Sequence, residues 1–302
     1  MKEVVVITGA SGAVAKVLAK KLENEYTVRF LTRTKKHEND FEWNIENKTI
    51  DEKAFENVSH IIHLAGANIS EKRWSNERKK EIISSRVDSA KLILETLQKK
   101  NIKLKSFISA SAVGIYGAIT SEKIFKEDDE KGNDFLSEVV ILWEKAADEF
   151  QEKGVAERVV KVRIAIVLSE NEGALKKMSV PVKFGIGSPV GTGRQYIPWI
   201  HIDDLSSVFE FALKNENING AYNASAPQHT DNENFTKEIA EVLNKPMFIP
   251  NIPGFVMKMI FGELSVVLLE GSRTSSEKLQ NEGFQFKFTE LKPALKNLLT
   301  KN

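Results

Sequence analysis

The 302-residue chain has no cysteine. Disulfides, thiol nucleophiles and thiolate metal sites are therefore excluded, and the composition fits a reducing compartment. Net charge is almost missing as well: 43 Lys and Arg against 42 Asp and Glu leave +1. That balance argues against a dedicated nucleic-acid or membrane-surface binder, which concentrates positive charge. No apolar run reaches the about 20 residues that a bilayer span needs. The most apolar late stretch, Phe255 to Leu269, carries Lys258 and Glu263 and reads as a packed helix. No secretory leader is read, because Met1-Lys2-Glu3 runs directly into the buried-strand pattern Val4-Val5-Val6-Ile7. The expectation is a soluble, cytoplasmic protein with neither a membrane nor a nucleic-acid partner. Internal repeats and low-complexity segments are missing too.

What is present is ordinary globular material, 41% hydrophobic and 28% charged, with 17 Gly and 8 Pro. A chain of this size buries roughly 75% of its unfolded surface. At about 150 residues per domain it predicts two domains, or one large α/β unit with an appendage. Short apolar runs at Val4–Ile7, Val28–Leu31, Ile61–Leu64, Phe107–Ile108 and Val159–Val162 alternate with helical patterns at Ala13–Leu22, Asn76–Lys99 and Leu136–Glu152. Continuously apolar strands alternating with helices predict a doubly wound, Rossmann-like parallel sheet covered on both faces, over residues 1–170. After Leu168 the texture changes. Gly173, Pro181, Gly185, Gly187, Pro189, Gly191 and Gly193 punctuate a loop-rich segment that cannot be one regular element. Helical patterns resume at Asp204–Leu213, Asn232–Leu243, Phe255–Leu269 and Glu290–Leu299. Residues 200–225 are expected to return to the first domain, and residues 171–199 and 226–302 to form a smaller, mainly helical cap on the substrate side.

The sharpest motif is Thr8-Gly9-Ala10-Ser11-Gly12-Ala13-Val14-Ala15, where an apolar strand feeds a Gly-x-x-Gly-x-x-Ala turn and then an amphipathic helix. Gly9 permits the tight turn, Gly12 lets the backbone approach a pyrophosphate, and Ala15 still allows close helix–strand packing. The helix N-terminus presents free N–H groups to phosphates, so Gly9, Ala10, Ser11, Gly12, Ala13 and Val14 are candidate dinucleotide ligands. Cofactor choice is read at the end of the second strand, Phe30-Leu31-Thr32-Arg33-Thr34-Lys35-Lys36, which has no acid in reach for a ribose hydroxyl. Arg33, supported by Ser11 and Lys35, suits a 2′-phosphate, so NADP is favoured and NAD is the alternative. The competing reading of the same residues is a solvated basic loop.

These residues resemble the short-chain dehydrogenase/reductase superfamily in its extended epimerase/dehydratase style. More closely, the whole chain is similar to an atypical epimerase-like family with a small C-terminal domain. The resemblance rests on Leu64-Ala65-Gly66-Ala67, Arg73-Trp74, Ser85-Arg86, Ser109-Ala110-Ser111-Ala112-Val113-Gly114-Ile115-Tyr116-Gly117 and Trp143-Glu144. It also rests on Gly191-Thr192-Gly193-Arg194-Gln195, Pro198-Trp199-Ile200-His201-Ile202-Asp203-Asp204 and the tail Gly283-Phe284-x-Phe286. It implies that Leu64, Ala65 and Gly66 line the cofactor, and that Ser109, Ala110 and Ser111 lie near the nicotinamide. The segment from Ile164 to Val167 would close over the nicotinamide ribose, and the cap would hold a substrate, commonly a nucleotide sugar. Pairing through the helix at Asn76 and the one near Leu136 would make a homodimer.

One departure is large. Superfamily enzymes use a Tyr as acid/base with a Lys four residues on, whose charge lowers the Tyr pKa from about 10. Anchoring on Glu144 places Leu136 in the Tyr slot and Val140 in the Lys slot. The four tyrosines, Tyr26, Tyr116, Tyr196 and Tyr222, are followed at the fourth position by Phe30, Thr120, Ile200 and Ala226. The standard pair is absent, as in the atypical family. Replacement candidates are Ser111, which either binds a carbonyl or hydroxyl or bonds backbone at a strand end, and Tyr116, whose phenol would sit at the site rim. His201 has a suitable pKa, but its segment also reads as a strand end before a helix capped by Asp203. Arg194, in its glycine-rich loop, suits a substrate phosphate or carboxylate, or else a loop–cap salt bridge. Arg73-Trp74 and Ser85-Arg86 flank a long helix pattern and either line the substrate mouth or pack. No metal site is read: His60 and His63 alternate to opposite strand faces, and Asp128-Asp129-Glu130 reads as solvated surface.

The reading is therefore an NADP-dependent oxidoreductase or isomerase on a small polar or sugar-nucleotide-like substrate, with nonstandard acid/base groups. The alternative is a noncatalytic NADP(H)-binding redox sensor or regulatory interaction protein. A scaffold that has lost its ligand is disfavoured by the intact glycine turn and Arg33.

Overall fold

A computed structural model describes residues 2–170 and 172–300, so residues 1, 171, 301 and 302 of the domain limits given above lie outside it. The first half runs β1 (Val4–Thr8), α1 (Ala13–Leu22), β2 (Thr27–Thr32), β3 (Asp40–Asn44), β4 (Thr49–Ile50), β5 (Val58–His63), α2 (Asn76–Lys99), β6 (Leu104–Ala112), β7 (Ile124–Phe125) and α3 (Phe135–Glu152). Then follow β8 (Ala156–Ile164), β9 (Ile166–Leu168), α4 (Gly173–Lys183), β10 (Trp199–His201), α5 (Ile202–Lys214) and β11 (Gly220–Ala224). The last part holds α6 (Asn232–Val242), α7 (Gly254–Phe261), α8 (Val266–Leu269), β12 (Arg273–Thr274), α9 (Glu277–Asn281) and α10 (Leu291–Leu299).

Eight strands form one sheet in the order β11-β8-β6-β5-β1-β2-β3-β4, parallel except for the terminal β3–β4 pair. It is a Rossmann-like, doubly wound sheet. Every residue of β1 is buried because helices cover both faces. Alternation divides the strand between two cores. Val5 and Ile7 meet Ala15, Leu18 and Leu22 of α1 and Leu205, Phe209 and Ala212 of α5. Val4 and Val6 face the other way, into a core with Leu94 and Leu97 of α2 and Ala147 and Phe150 of α3. Phe107 stacks on Phe150 with ring centroids 3.6 Å apart.

A third core joins Leu175 and Val182 of α4, Phe235 and Ile239 of α6 and Leu291, Leu295 and Leu298 of α10 around Trp199. The segment 173–193, read as loop-rich, thus contains an eleven-residue helix; Leu175, Ser179 and Val182, spaced four and three apart, give it one buried side. Two other expectations fail. Phe255–Leu269 is not one packed helix: Gly262, at φ +60°, breaks it, and a 3₁₀ turn over Gly262–Ser265 separates α7 from α8. Nor does Asp203 cap α5. The cap is His201, whose Nδ1 accepts the Asp203 N–H at 3.0 Å. Among the described residues no helix is long and apolar enough to cross a membrane.

Candidate functional site

The carboxyl ends of the central strands carry two different constructions. At the end of β1, Gly9 has φ +75°, and a Cβ there would lie 2.9 Å from Leu64 O and 3.2 Å from Ala65 N. Only glycine fits both the backbone conformation and that contact. The turn closes with Gly12 N–H donating to Gly9 O at 2.9 Å, and α1 begins after Gly12 with no side-chain cap. The other long helices that cover the sheet are capped: α2 by Ser75, α3 by Asp134 and α5 by His201. A Cβ at Gly12 would meet Gly9 O at 3.3 Å, so this position too is kept bare close to the turn. The result is a cradle of unfilled N–H groups at a helix N-terminus, which fits a dinucleotide pyrophosphate.

Thr8 ties this turn to the next strand. Its Oγ1 accepts the N–H groups of Leu64 at 3.0 Å and Ala65 at 2.9 Å. The hydroxyl proton is then directed to His63 Nδ1, 3.0 Å away, which leaves His63 Nε2–H for Ser89 Oγ at 3.1 Å. Burial holds the His63 pKa down at about 4, so it acts as a neutral strut. The Leu64–Ala67 segment is pinned from the other side as well. Ser85 Oγ accepts Ala67 N–H at 2.9 Å, and Arg86 Nη2 donates to Ala67 O at 3.1 Å. Ser85 and Arg86 therefore lie inside α2 rather than flanking it. Gly66 is bare because a Cβ would meet Arg86 Cζ at 3.0 Å.

Arg33 and Lys35 are exposed beyond β2 and line an open cleft of about 580 Å³ with Trp43, Asn44 and Thr49. The same cleft contains Glu42 and Asp51, and Glu42 Oε1 accepts the Lys35 N–H at 3.1 Å. The expectation that no acid is in reach is thus corrected. Strand β3 pairs with β2, with Thr32 opposite Glu42, and delivers a carboxylate that lies seven residues further along the chain. Ser11 is exposed beside the glycine turn, and no hydrogen bond between it and Arg33 occurs among the described residues.

At the ends of β6, β8 and β11 the polar groups close on one another. Register places Ser111 opposite Arg163, and Arg163 opposite Asn223. Arg163 grips Glu144 of α3 through Nε–Oε1 at 2.8 Å and Nη2–Oε2 at 3.0 Å, while Ser111 Oγ donates to Glu144 Oε1 at 2.7 Å. Arg163 Nη1 also donates to Tyr116 OH at 3.0 Å, and Tyr116 OH donates to Asn223 Oδ1 at 2.8 Å. Burial works against the Glu144 charge, but the Arg163 hydrogen bonds and charge, with the Ser111 hydroxyl, hold its pKa below the usual value. Arg163 moves the opposite way: burial lowers it, and Glu144 more than compensates.

Tyr116 is corrected from a rim phenol to a buried one. Burial pushes its pKa up to about 12 despite Arg163 and Asn223. It cannot donate or accept protons as a phenolate near neutrality. Leu136 and Val140, in the Tyr and Lys slots, stand against Gly114, whose Cβ position is 3.7 Å from Leu136 Cβ and 3.9 Å from Val140 Cγ2. Ser109 and Ala110 are buried, with Ser109 Oγ donating to Ala110 O, and Ile164 is half-buried at the end of β8. His201 is buried and stacked on Phe288 at 3.9 Å, away from the Ser111 network. Arg194 is exposed in its loop, and no hydrogen bond or ion pair of its side chain is present among the described residues.

Sequence reasoning missed the roles of Thr8, Asn223, Glu42 and Arg163, and it used Glu144 only as a marker. Glu144 and Arg163 were visible as residue types, but their pairing spans α3 and β8. Nothing local signals Asn223.

Comparison with known proteins follows this geometry. The family described as NAD dependent epimerase/dehydratase matches residues 5–225, and a domain of unknown function, DUF1731, matches residues 252–298. An epimerase family protein of Bacillus subtilis, YfhF, is 38% identical over 239 residues, 79% of this chain and 77% of that one. The Staphylococcus aureus epimerase family protein SAR0825 is 33% identical over 302 residues, 98% of both chains. Among solved structures, the human epimerase family protein SDR39U1 (isoform 2) with NADPH superposes with a TM-score of 0.88 at 28% identity, covering 99% of this chain and 100% of that one.

Proposed function

Because the chain belongs to the NAD dependent epimerase/dehydratase family, we propose that it binds NADP(H) across the Gly9–Val14 turn and acts as an oxidoreductase or isomerase without tyrosine acid/base chemistry. The observation that carries this reading is the cradle itself: a glycine at φ +75° pressed on Leu64, in front of a helix that, unlike α2, α3 and α5, has no side-chain cap. The phosphorylated cofactor is favoured by Arg33 and Lys35 beyond β2, and by the NADPH in the human relative's structure. When bound, the dinucleotide supplies hydride transfer.

The chain's own residues then bind and orient. The N–H groups at the start of α1 take the pyrophosphate, and Leu64–Gly66, braced by Thr8 and Arg86, form a fixed wall. Ser111 gives its proton to an ionised carboxylate, so its oxygen is oriented to accept a hydrogen bond from a substrate hydroxyl. Arg194, exposed and unpaired among the described residues, is placed for a phosphate or carboxylate on a small polar or sugar-nucleotide-like substrate.

A second reading has its own observation. Leucine and valine fill the acid/base slots, and Ser111, Tyr116 and His201 are all committed to internal bonds. That arrangement favours a noncatalytic NADP(H)-binding sensor. Side-by-side calorimetric titrations with NADPH and NADH test the shared part. NADPH is expected to bind at least about tenfold tighter, the scale of a charge-assisted contact, and Arg33→Ala to remove the preference. Failure of both cofactors to bind at millimolar concentration sinks both readings. Transfer of label from 4-deuterated NADPH into a mixture of carbonyl compounds, reduced in Ser111→Ala with cofactor binding intact, separates the enzyme from the sensor.

A further inference from the structure

Among the described helices of eight residues or more, the most apolar is also among the least buried. α7 reads Gly254-Phe255-Val256-Met257-Lys258-Met259-Ile260-Phe261, and only Met257 is buried. Phe255 and Met259, four residues apart on one face, are each 70% exposed, and Ile260 is 51% exposed. The segment leading into α7 runs beside a second apolar stretch. Ile252 bridges to Val190 and donates its N–H to Pro189 O at 2.9 Å, and Ser188 Oγ donates to Pro250 O at 2.6 Å. Phe248, 75% exposed, and Ile186 (58%) each stand two residues before this seam, and Phe184 (79%) stands four before it. The turn that carries Phe184 and Ile186 is folded tightly back on α4, because a Cβ at Gly187 would meet Val182 Cγ2 at 2.6 Å. Apolar side chains of such exposure, gathered on the two segments that meet at one seam, mark an interaction surface rather than ordinary scatter.

Charge identifies the partner. No Asp or Glu occurs from Gly173 to Ile202, or from Val242 to Gly262, although 42 acids are spread over the 302 residues. These two stretches build the surface. They also carry Lys176, Lys183 and Lys258, all exposed, and no ion pair of theirs occurs among the described residues. Lys176, Val180 and Lys183 of α4, and its C-cap Phe184, follow one another along the side away from the buried Leu175, Ser179 and Val182. The whole-chain charge of +1 averages this local bias away.

Against the expectation of no membrane partner, which rests on whole-chain charge, we propose that this surface docks the protein on a lipid bilayer bearing anionic headgroups. Phe184, Phe255 and Met259 enter the headgroup region, while Lys176, Lys183 and Lys258 face lipid phosphates. A second copy of the chain fits less well: a two-fold contact would set lysines against lysines, with no carboxylate in either stretch to meet them. The inference is independent of the cofactor reading.

The missing cysteines make the test clean. The full-length protein with Phe255→Cys accepts one environment-sensitive fluorophore, and Asn47→Cys, in the exposed turn between β3 and β4, is the control. With vesicles of phosphatidylcholine containing about 30% phosphatidylglycerol, the label at 255 is expected to shift to the blue and that at 47 to stay unchanged; phosphatidylcholine alone moves neither. Flotation with the anionic vesicles is expected to fall at least about tenfold on Lys176→Glu/Lys183→Glu/Lys258→Glu, on Phe184→Ser/Phe255→Ser/Met259→Ser, and in high salt. Unchanged urea midpoints in these surface variants show that folding is intact. The proposal is overturned if the protein floats with neither vesicle type or with both equally. It is also overturned if the 255 label shifts without lipid as protein concentration rises, which assigns the surface to a second copy.

Discussion

At the end of β1 the polar groups that face the crevice are backbone N–H groups, and the side chains have been removed from their path by Gly9 and Gly12. At the ends of β6, β8 and β11, in the same sheet, the polar groups are side chains, and they satisfy one another: Ser111 and Arg163 on Glu144, Tyr116 on Asn223. The first region is pre-organised for an outside partner, since fixed N–H groups with no internal acceptor are completed by a ligand's oxygens. The second is complete without one. A chain can thus keep the cofactor half of an oxidoreductase crevice open while the half that usually moves protons becomes a locked internal network. The difference also explains why pKa values in the second region lie away from neutrality, with Tyr116 pushed up to about 12 and Glu144 held down.

The largest effect should come from cutting the locked side. Glu144→Gln leaves the buried Arg163 guanidinium without its ion, and Arg163→Met leaves the carboxylate, so each is expected to lower unfolding free energy by about 3–5 kcal/mol. The double variant should recover at least half of the summed loss, because neither charge is then stranded. Urea denaturation of the two singles and the double decides it. Simple addition of the two losses would mean that the pair is not coupled, and that the closed network is a poor description.

A smaller effect tests the open side. Gly9→Ala and Gly154→Ala both place a side chain at positive φ, +75° and +66°, but only Gly9 has backbone in the way, at 2.9 Å, whereas nothing lies within 4 Å at Gly154. The conformational penalty of about 1–2 kcal/mol is common to both. Any excess at Gly9 isolates the contact with Leu64, and only Gly9→Ala should weaken NADPH binding. Equal destabilisation, with cofactor titrations unchanged, would show that the turn is not held in register for a ligand.

This division tracks what could be read in the sequence. α1 and α2 lie at Ala13–Leu22 and Asn76–Lys99, the limits that helical periodicity indicates, because that signal is local. The glycine turn is legible for the same reason. The locked network is not, since Arg163 on a strand and Glu144 on a helix lie 19 residues apart, and Asn223 arrives from β11. The two-residue strands β4, β7 and β12 are too short to show any alternation. Phe255–Leu269 misleads in another way: apolar composition reports a preference for leaving water, but not whether the fold supplies something to cover it. Gly262 ends the helix, and most of α7 remains uncovered.

The finest test lies at the outer edge of the open side, where the fold adds what the sequence order conceals. Glu42 stands in the cleft with Arg33 and Lys35, and its carboxylate accepts the Lys35 N–H at 3.1 Å. A 2′-phosphate entering this cleft meets two cations and two carboxylates, Glu42 and Asp51, whereas a ribose hydroxyl would find in Glu42 an acceptor. Glu42→Gln should therefore tighten NADPH and weaken NADH. The change in their ratio is expected to be about two- to fivefold, the range that exposed charges of about 0.2–1 kcal/mol imply. Paired titrations at low and high salt check it, because the gain for NADPH should shrink as screening increases. If Glu42→Gln weakens both cofactors equally, the carboxylate serves the shape of the Lys35 loop rather than cofactor choice, and the preference must be assigned to Arg33 alone.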